Sequence, residues 1–231
     1  MSGLVFVVLG VAVVGTVGFT LHSLSADPQK PLYATKSSEM IVVDGKTYPK
    51  ASAVMGVYPD KATAAEHGYT ANAHDYVQYG PSTHLVLPAH TYVTLTIHAY
   101  DSGEHLNNPY FGKVVGTIGG AMNIDGVEVT NIPSDNVEHT FTLHGIPSTS
   151  QDPLFVNIPL PQVKTNDAGD FLPTTDPGTN FKGHTVTFSF ITGGAGDYVW
   201  NCEYPCGDGS YAKFGAAMSA YGYMSGKVTV K

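Results

Sequence analysis

The two cysteines of the chain, Cys202 and Cys206, lie in the stretch GDYVWNCEYPCGDGS with three residues between them. Thiols at this spacing can close a disulfide, hold a soft metal ion as thiolates, or remain free. In an extracytoplasmic domain a bridge is the commonest outcome, provided the Cα separation allows it. Met218 and Met224 offer thioethers further on. A second set of ligand-type residues, His98, Glu104, His105, His139 and His144, falls between positions 98 and 144. Imidazoles and carboxylates of this kind can bind zinc, but His98 and His105 flank a turn and lack helical i, i+4 spacing. His67, His74 and Asp75 form a similarly loose group. There is no Ser-His-Asp arrangement, phosphate loop or G-x-G-x-x-G signature. The GTIGG at 116–120 has no helix pattern after it and reads as a turn.

The elements that must position these groups are strands. In YVTLTIH (92–98), Val93, Leu95 and Ile97 alternate with Thr94, Thr96 and His98, the pattern of a half-buried strand. Val137, His139, Phe141 and Leu143 share one face of a second strand; Val186, Phe188 and Phe190 do so in a third. Tyr198, Trp200 and Cys202 share a face in GDYVWNC, and Met224, Gly226, Val228 and Val230 share one at the C-terminus. Stretches rich in turn residues at 107–109 and 166–178 separate them. Residues 26–84 read as a linker with early strand material, an unperiodic stretch, and a short helix near 62–67. Many short strands with Gly and Pro between them predict a sandwich or barrel, and no internal repeat is visible.

Composition narrows the partners. Charged residues are 13% of the chain, about half the roughly 25% of an ordinary soluble domain. All 11 basic residues are lysine and the formal net charge is −8, which argues against nucleic acid and against bidentate phosphate recognition. Residues 4–24, LVFVVLGVAVVGTVGFTLHSL, contain no Asp, Glu, Lys or Arg. Roughly 20 apolar residues span a bilayer as a helix, so 1–25 is expected to be an uncleaved transmembrane anchor; a cleaved signal would carry a basic start and small residues at its cleavage site. Ala12, Thr16 and Thr20, with Gly15 and Gly18 close by, make a stripe of small residues that lets a neighbouring helix approach. The β-rich body is expected on the extracytoplasmic side.

GDYVWNCEYPCGDGS followed by YMSGKVTV resembles the cupredoxin domain of haem-copper terminal oxidase subunit II. In that family a strand runs into C-x3-C-G, matched by Cys202, Cys206 and Gly207, and the chain closes with M-x-G-x-V-x-V, matched from Met224 to Val230. His139 in NVEHTFTLHG matches an earlier strand histidine. The resemblance covers the anchor and residues 85–231, with extra segments near 101–135 and 165–180. It implies an all-β, Greek-key cupredoxin-like β-sandwich carrying one N-terminal transmembrane helix.

The family's binuclear copper centre takes two thiolates, two imidazoles, a thioether and a backbone carbonyl. Here the resemblance supplies Cys202, Cys206, His139, Met224 and the carbonyl of Glu203 or Tyr204. The second imidazole is missing. Its position is Ser210 counted from Cys206 and Tyr221 counted from Met224; YAKFGAAMSA (211–220) lengthens the loop, and no histidine follows His184. These five residues are therefore read as a vestigial or alternative copper site, with no catalytic, cofactor-binding or metal-binding residue favoured. Cys202 and Cys206 are expected as a disulfide, with copper held by an unusual ligand set, or free thiols, as alternatives. The function implied is subunit II of a quinol-oxidising terminal oxidase, inactive by itself. Its partners would be subunit I, which carries haem and copper, other membrane subunits, and the quinol pool. The competing expectation is a membrane-tethered copper protein that delivers electrons to an oxidase.

Overall fold

The computed structural model describes residues 10, 13–17, 29–102, 108–145, 151–163, 183–207 and 215–231. The chain divides into two compact units, Met1–Lys30 and Pro31–Lys231. In the first, Gly10 and residues 13–17 are helical; the rest of the expected anchor at 4–24 lies outside the described residues. Among the described residues no helix is long and apolar enough to cross a membrane.

The second unit is all-β. In chain order its strands are β1 (Leu32–Tyr33), β2 (Thr35–Val43), β3 (Lys46–Tyr58), β4 (Gln78–Gly80), β5 (His84–Leu87), β6 (Tyr92–Ala99), β7 (Met122–Ile124), β8 (Val127–Val129), β9 (Val137–Gly145), β10 (Phe155–Pro161), β11 (His184–Ile191), β12 (Gly196–Asn201) and β13 (Ser225–Val230). Two short helices, α1 (Lys61–Glu66) and α2 (Ala216–Ser219), join them. One sheet has the order β1-β5-β13-β12-β9-β10; the other runs β2-β3-β6-β11-β7-β8, with β4 also paired to β3. β5 runs parallel to β1 and β13, and β3 runs parallel to β6.

The strand at 92–98 has the expected alternation: Val93, Leu95, Ile97 and Ala99 point inward along β6. Val186, Phe188 and Phe190 do the same on β11. Residues 31–84 carry β1 to β4, α1 and the first residue of β5, so this segment belongs to the compact unit and pairs in both sheets. Its strand β3 was hard to read because its inward positions begin with Ala51 and Ala53, whose small side chains give little periodic signal before Met55 and Val57. Two Asp-Gly dipeptides turn the β2–β3 and β7–β8 hairpins, with positive φ at Asp44 and Gly45 and at Asp125 and Gly126, as a two-residue turn of this hand requires.

One core draws on both sheets. Trp200 is fully buried, with Tyr79 edge-on at 4.7 Å and Phe141 stacked at 5.0 Å between ring centroids. Its indole N–H donates to the Thr83 carbonyl at 2.9 Å, which satisfies the polar end of a buried ring. The same carbonyl lies where a Cβ at position 226 would sit, so Gly226 lets β13 and the Thr83 backbone close against each other.

The sheet edge beside the site is irregular. β10 carries Pro159 and Pro161, tolerable because it is the outermost strand. Its register against β9 slips between Leu160, opposite His139, and Pro161, opposite Val137. Glu138 is left as an extra residue at a bulge, a device that re-aims a side chain.

Candidate metal centre

Three elements converge beyond the end of β12. Asn201 closes that strand opposite Thr142 of β9, so Cys202 emerges alongside Thr140 and His139. The Cys202 amide donates to the Met224 carbonyl at 2.8 Å, and the Glu203 amide to Thr140 Oγ1 at 2.9 Å. The chain then turns back, with the Cys206 amide donating to the Tyr204 carbonyl at 2.8 Å. This brings the two sulfurs to 3.4 Å from each other, both as free thiols. Tyr204 packs on Phe111 at 5.5 Å and shields the loop.

His139 faces both sulfurs. Its Nδ1 lies 3.1 Å from Cys206 Sγ and 3.8 Å from Cys202 Sγ. The Thr140 amide donates to Cys202 Sγ at 3.3 Å. On the far edge of the ring, Nε2 lies 3.0 Å from Asp101 Oδ2 and 3.5 Å from Glu138 Oε1. A carboxylate only accepts, so Nε2 carries a proton, and loss of the Nδ1 proton to a bound metal would leave a lone pair facing the sulfurs, the form a metal ligand needs. Exposure is 3% for His139, 0% for Cys202 and 7% for Cys206.

The charges are strongly coupled. Burial opposes a charge on His139, but Glu138, Asp101 and Cys202 together hold its pKa well above the ordinary imidazole value. Burial also opposes ionisation of Cys202, yet hydrogen bonds from Cys206 and His139 draw it well below the usual thiol range. Cys206 moves upward, because it shares its proton with Cys202 and is buried. One thiolate paired with an imidazolium is the arrangement these directions describe. Glu138 is pushed well up by burial, and neither of its oxygens has a hydrogen-bond partner. The nearby Val163 amide favours the carboxylate only weakly, since it donates to the Asp101 carbonyl at 2.9 Å.

Of the residues singled out in the sequence, the structure assembles His139, Cys202 and Cys206, whose ligand atoms all lie within 4.8 Å of one another. Met224 is fully buried and contributes its carbonyl to the Cys202 amide. The Glu203 side chain accepts from Asn201 Nδ2 at 3.0 Å. Met218 is half-buried against the core, Tyr221 is 52% exposed, and Ser210 lies outside the described residues. Among the described residues no second imidazole joins the sulfur group. Among the described residues the looser histidine groups do not assemble. His98 bonds Thr185 at 3.2 Å, His144 bonds the Gly145 carbonyl at 3.2 Å, and Glu104 and His105 lie outside the described residues. His67 packs against the Tyr100 ring at 3.9 Å, His74 stacks on Tyr76, and Asp75 accepts from the Lys61 amide at 2.8 Å. Sequence reading missed Asp101 and Glu138. The first arrives from the end of β6 in the other sheet, and the second sits at the bulge, where the alternation of β9 is interrupted.

No family model matches the sequence, and no curated protein matches it. Solved structures with a similar chain course include auracyanin B, with 14% identity over 86% of this chain and 97% of that one and a TM-score of 0.33. Rusticyanin from Thiobacillus ferrooxidans is another, with 12% identity over 79% of this chain and 77% of that one and a TM-score of 0.34. Likeness at this level fixes none of the site residues, which stand on their own geometry.

Proposed function

We propose that the chain is a copper-binding electron-transfer protein of cupredoxin type, with His139 Nδ1, Cys202 Sγ and Cys206 Sγ as the protein ligands. The convergence of one imidazole and two sulfurs, with Asp101 holding the opposite ring nitrogen, carries the reading. Sulfur and imidazole donors suit copper, which supplies reversible one-electron transfer when bound. The residues fit the task on three counts. They are buried, so water is excluded from the sulfurs. The Thr140 and Cys202 amides tie the thiol loop to β9 and β13. Asp101 keeps the ring turned so that Nδ1 stays aimed inward. In this reading residues 4–24 tether the domain to a membrane with the sandwich outside the cytoplasm. Adding copper to the metal-free full chain in detergent should produce a visible absorption band and a paramagnetic resonance signal that disappear in C206S. A folded wild-type chain that takes up no copper would refute the proposal.

A second reading is favoured by one observation, the absence of any histidine after His184. Without its second imidazole a binuclear centre of the subunit II type is incomplete. The chain would then be the non-catalytic subunit II of a quinol-oxidising terminal oxidase, docked on a haem-bearing subunit I, with Cys202 and Cys206 free to close a bridge. Its mark is copurification with haem and direct oxidation of a quinol analogue by a complex whose copper content is unchanged in C206S.

A further inference from the structure

We propose a second cation site, for a divalent ion of the zinc class, on the opposite edge of the His139 ring from the sulfurs, formed by Asp101, Glu138 and His139 Nε2. The three ligand atoms lie within 4.8 Å of one another. Their separations from Nε2, 3.0 and 3.5 Å, bracket the roughly 3.3 Å edge of a tetrahedron built from bonds of about 2.0–2.1 Å. Glu138 is the independent sign of a ligand. Its side chain is fully buried, both oxygens lack a hydrogen-bond partner, and the β9 bulge turns it toward Asp101 and His139. Buried polar groups are almost always satisfied, yet among the described residues Glu138 has only the 3.5 Å approach of His139 Nε2, and a cation that displaced its proton would satisfy it. Asp101 comes from the end of β6, so an ion here would join the two sheets. With 15% of its side chain exposed, Asp101 also offers the approach from solvent.

The donor types separate this site from the sulfur side. Two carboxylates and an imidazole are a zinc set, whereas thiolates draw copper. The two sites share His139, through different nitrogens, and the proposal does not depend on copper at the sulfurs. Cobalt(II) is a suitable probe, because its ligand-field bands report coordination and a separate charge-transfer band reports thiolate ligation. The metal-free full chain carrying C202S and C206S should bind one cobalt(II) with ligand-field bands and no thiolate band. Adding E138Q or D101N should weaken that binding by at least about tenfold. A folded C202S/C206S chain that binds no cobalt, or binds it equally well with E138Q and D101N, would overturn the site. If that variant does not fold, as judged by the near-ultraviolet circular dichroism of Trp200, calorimetric zinc titration of the wild-type chain and of E138Q takes its place. A stoichiometry lower by one in E138Q is expected, and equal stoichiometry overturns the proposal. Copper titration of the wild-type chain distinguishes the two ideas: a folded chain that takes up no copper sinks the electron-transfer reading and leaves the zinc-class site intact.

Discussion

Two histidine–aspartate pairs in this domain differ in the ring nitrogen they use and in their surroundings, and the surroundings decide what each can do. His184 Nδ1 lies 2.6 Å from Asp125 Oδ2, at the start of β11 and the tip of the β7–β8 hairpin. Asp125 Oδ1 also accepts from the Thr185 amide at 2.8 Å. This pair pins a turn, with 23% of the histidine side chain open to solvent. His139 and Asp101 make a like contact through Nε2 at 3.0 Å, but only 4% of that histidine is exposed and its other nitrogen meets two sulfurs. A carboxylate behind an imidazole is therefore not a site in itself. It becomes one where the free nitrogen of the ring is buried against soft donors.

Breaking the buried pair should have the largest consequence. H139A strands Asp101, Glu138 and the thiols in a space that nothing refills. Loss of one partner from a buried ionic network costs about 3–5 kcal/mol, so the chain should unfold at much lower denaturant concentration, and copper should no longer bind. C206S ranks next. It keeps the volume and a hydroxyl beside His139, and a loss of about 1–2 kcal/mol is expected. Copper affinity should fall by more than about 100-fold, since even the outer partners of metal ligands are worth 10–100-fold. Both effects can be read from denaturant melts and copper titrations of the same preparations.

The sulfur side of this network was legible in the sequence because its signals are local. Cys202 and Cys206 declare themselves by spacing, and His139 sits in a run whose apolar neighbours Val137, Phe141 and Leu143 mark an inward face. β6 and β11 were legible for the same reason. The carboxylate side was not. Strict alternation sends Glu138 to the face opposite His139, and the register slip at Leu160 and Pro161 interrupts that alternation. Asp101 is near His139 because two sheets pack together, a fact that no window of sequence contains. Residues 31–84 were underread because alanines and a mixed pairing pattern hide β3, which is parallel to β6 on one side and antiparallel to β2 on the other.

Acidity gives a sharper form of the comparison. Glu138 is raised in the folded chain, so between its unfolded pKa, about 4.3, and its folded value the native state holds a proton that the unfolded state has lost. Stability then falls as pH rises through that window. His139, also raised, adds a loss of the same sign above about 6.5, while Cys202, lowered, contributes stability that grows with pH up to about 8.5. Glutamine imitates the neutral acid and cannot ionise, so E138Q removes the first contribution and shrinks the second, since Glu138 is the foremost of the groups that raise His139. The metal-free variant should match the wild type near pH 4 and become progressively more stable than it from pH 5 upward. Parallel melting curves would contradict a buried, uncharged Glu138.

The smallest effects belong to the exposed pair. H184Q leaves Asp125 its bond from the Thr185 amide and removes a contact that solvent already weakens, so a change of about 0–1 kcal/mol is expected. D125A should cost more than H184Q. It deletes both acceptors, and it places alanine at φ 51, a left-handed conformation that aspartate tolerates better than alanine does. D125N should fall between them, because asparagine suits the turn and its oxygen can still accept from Thr185. None of the three should alter copper binding or the cobalt spectrum, since the hairpin tip supplies no ligand to either edge of His139. The comparison fails if H184Q lowers copper affinity as D101N does. Equal effects would mean that the two aspartates act through the general packing of the sandwich, and that Asp101 has no special hold on the His139 ring.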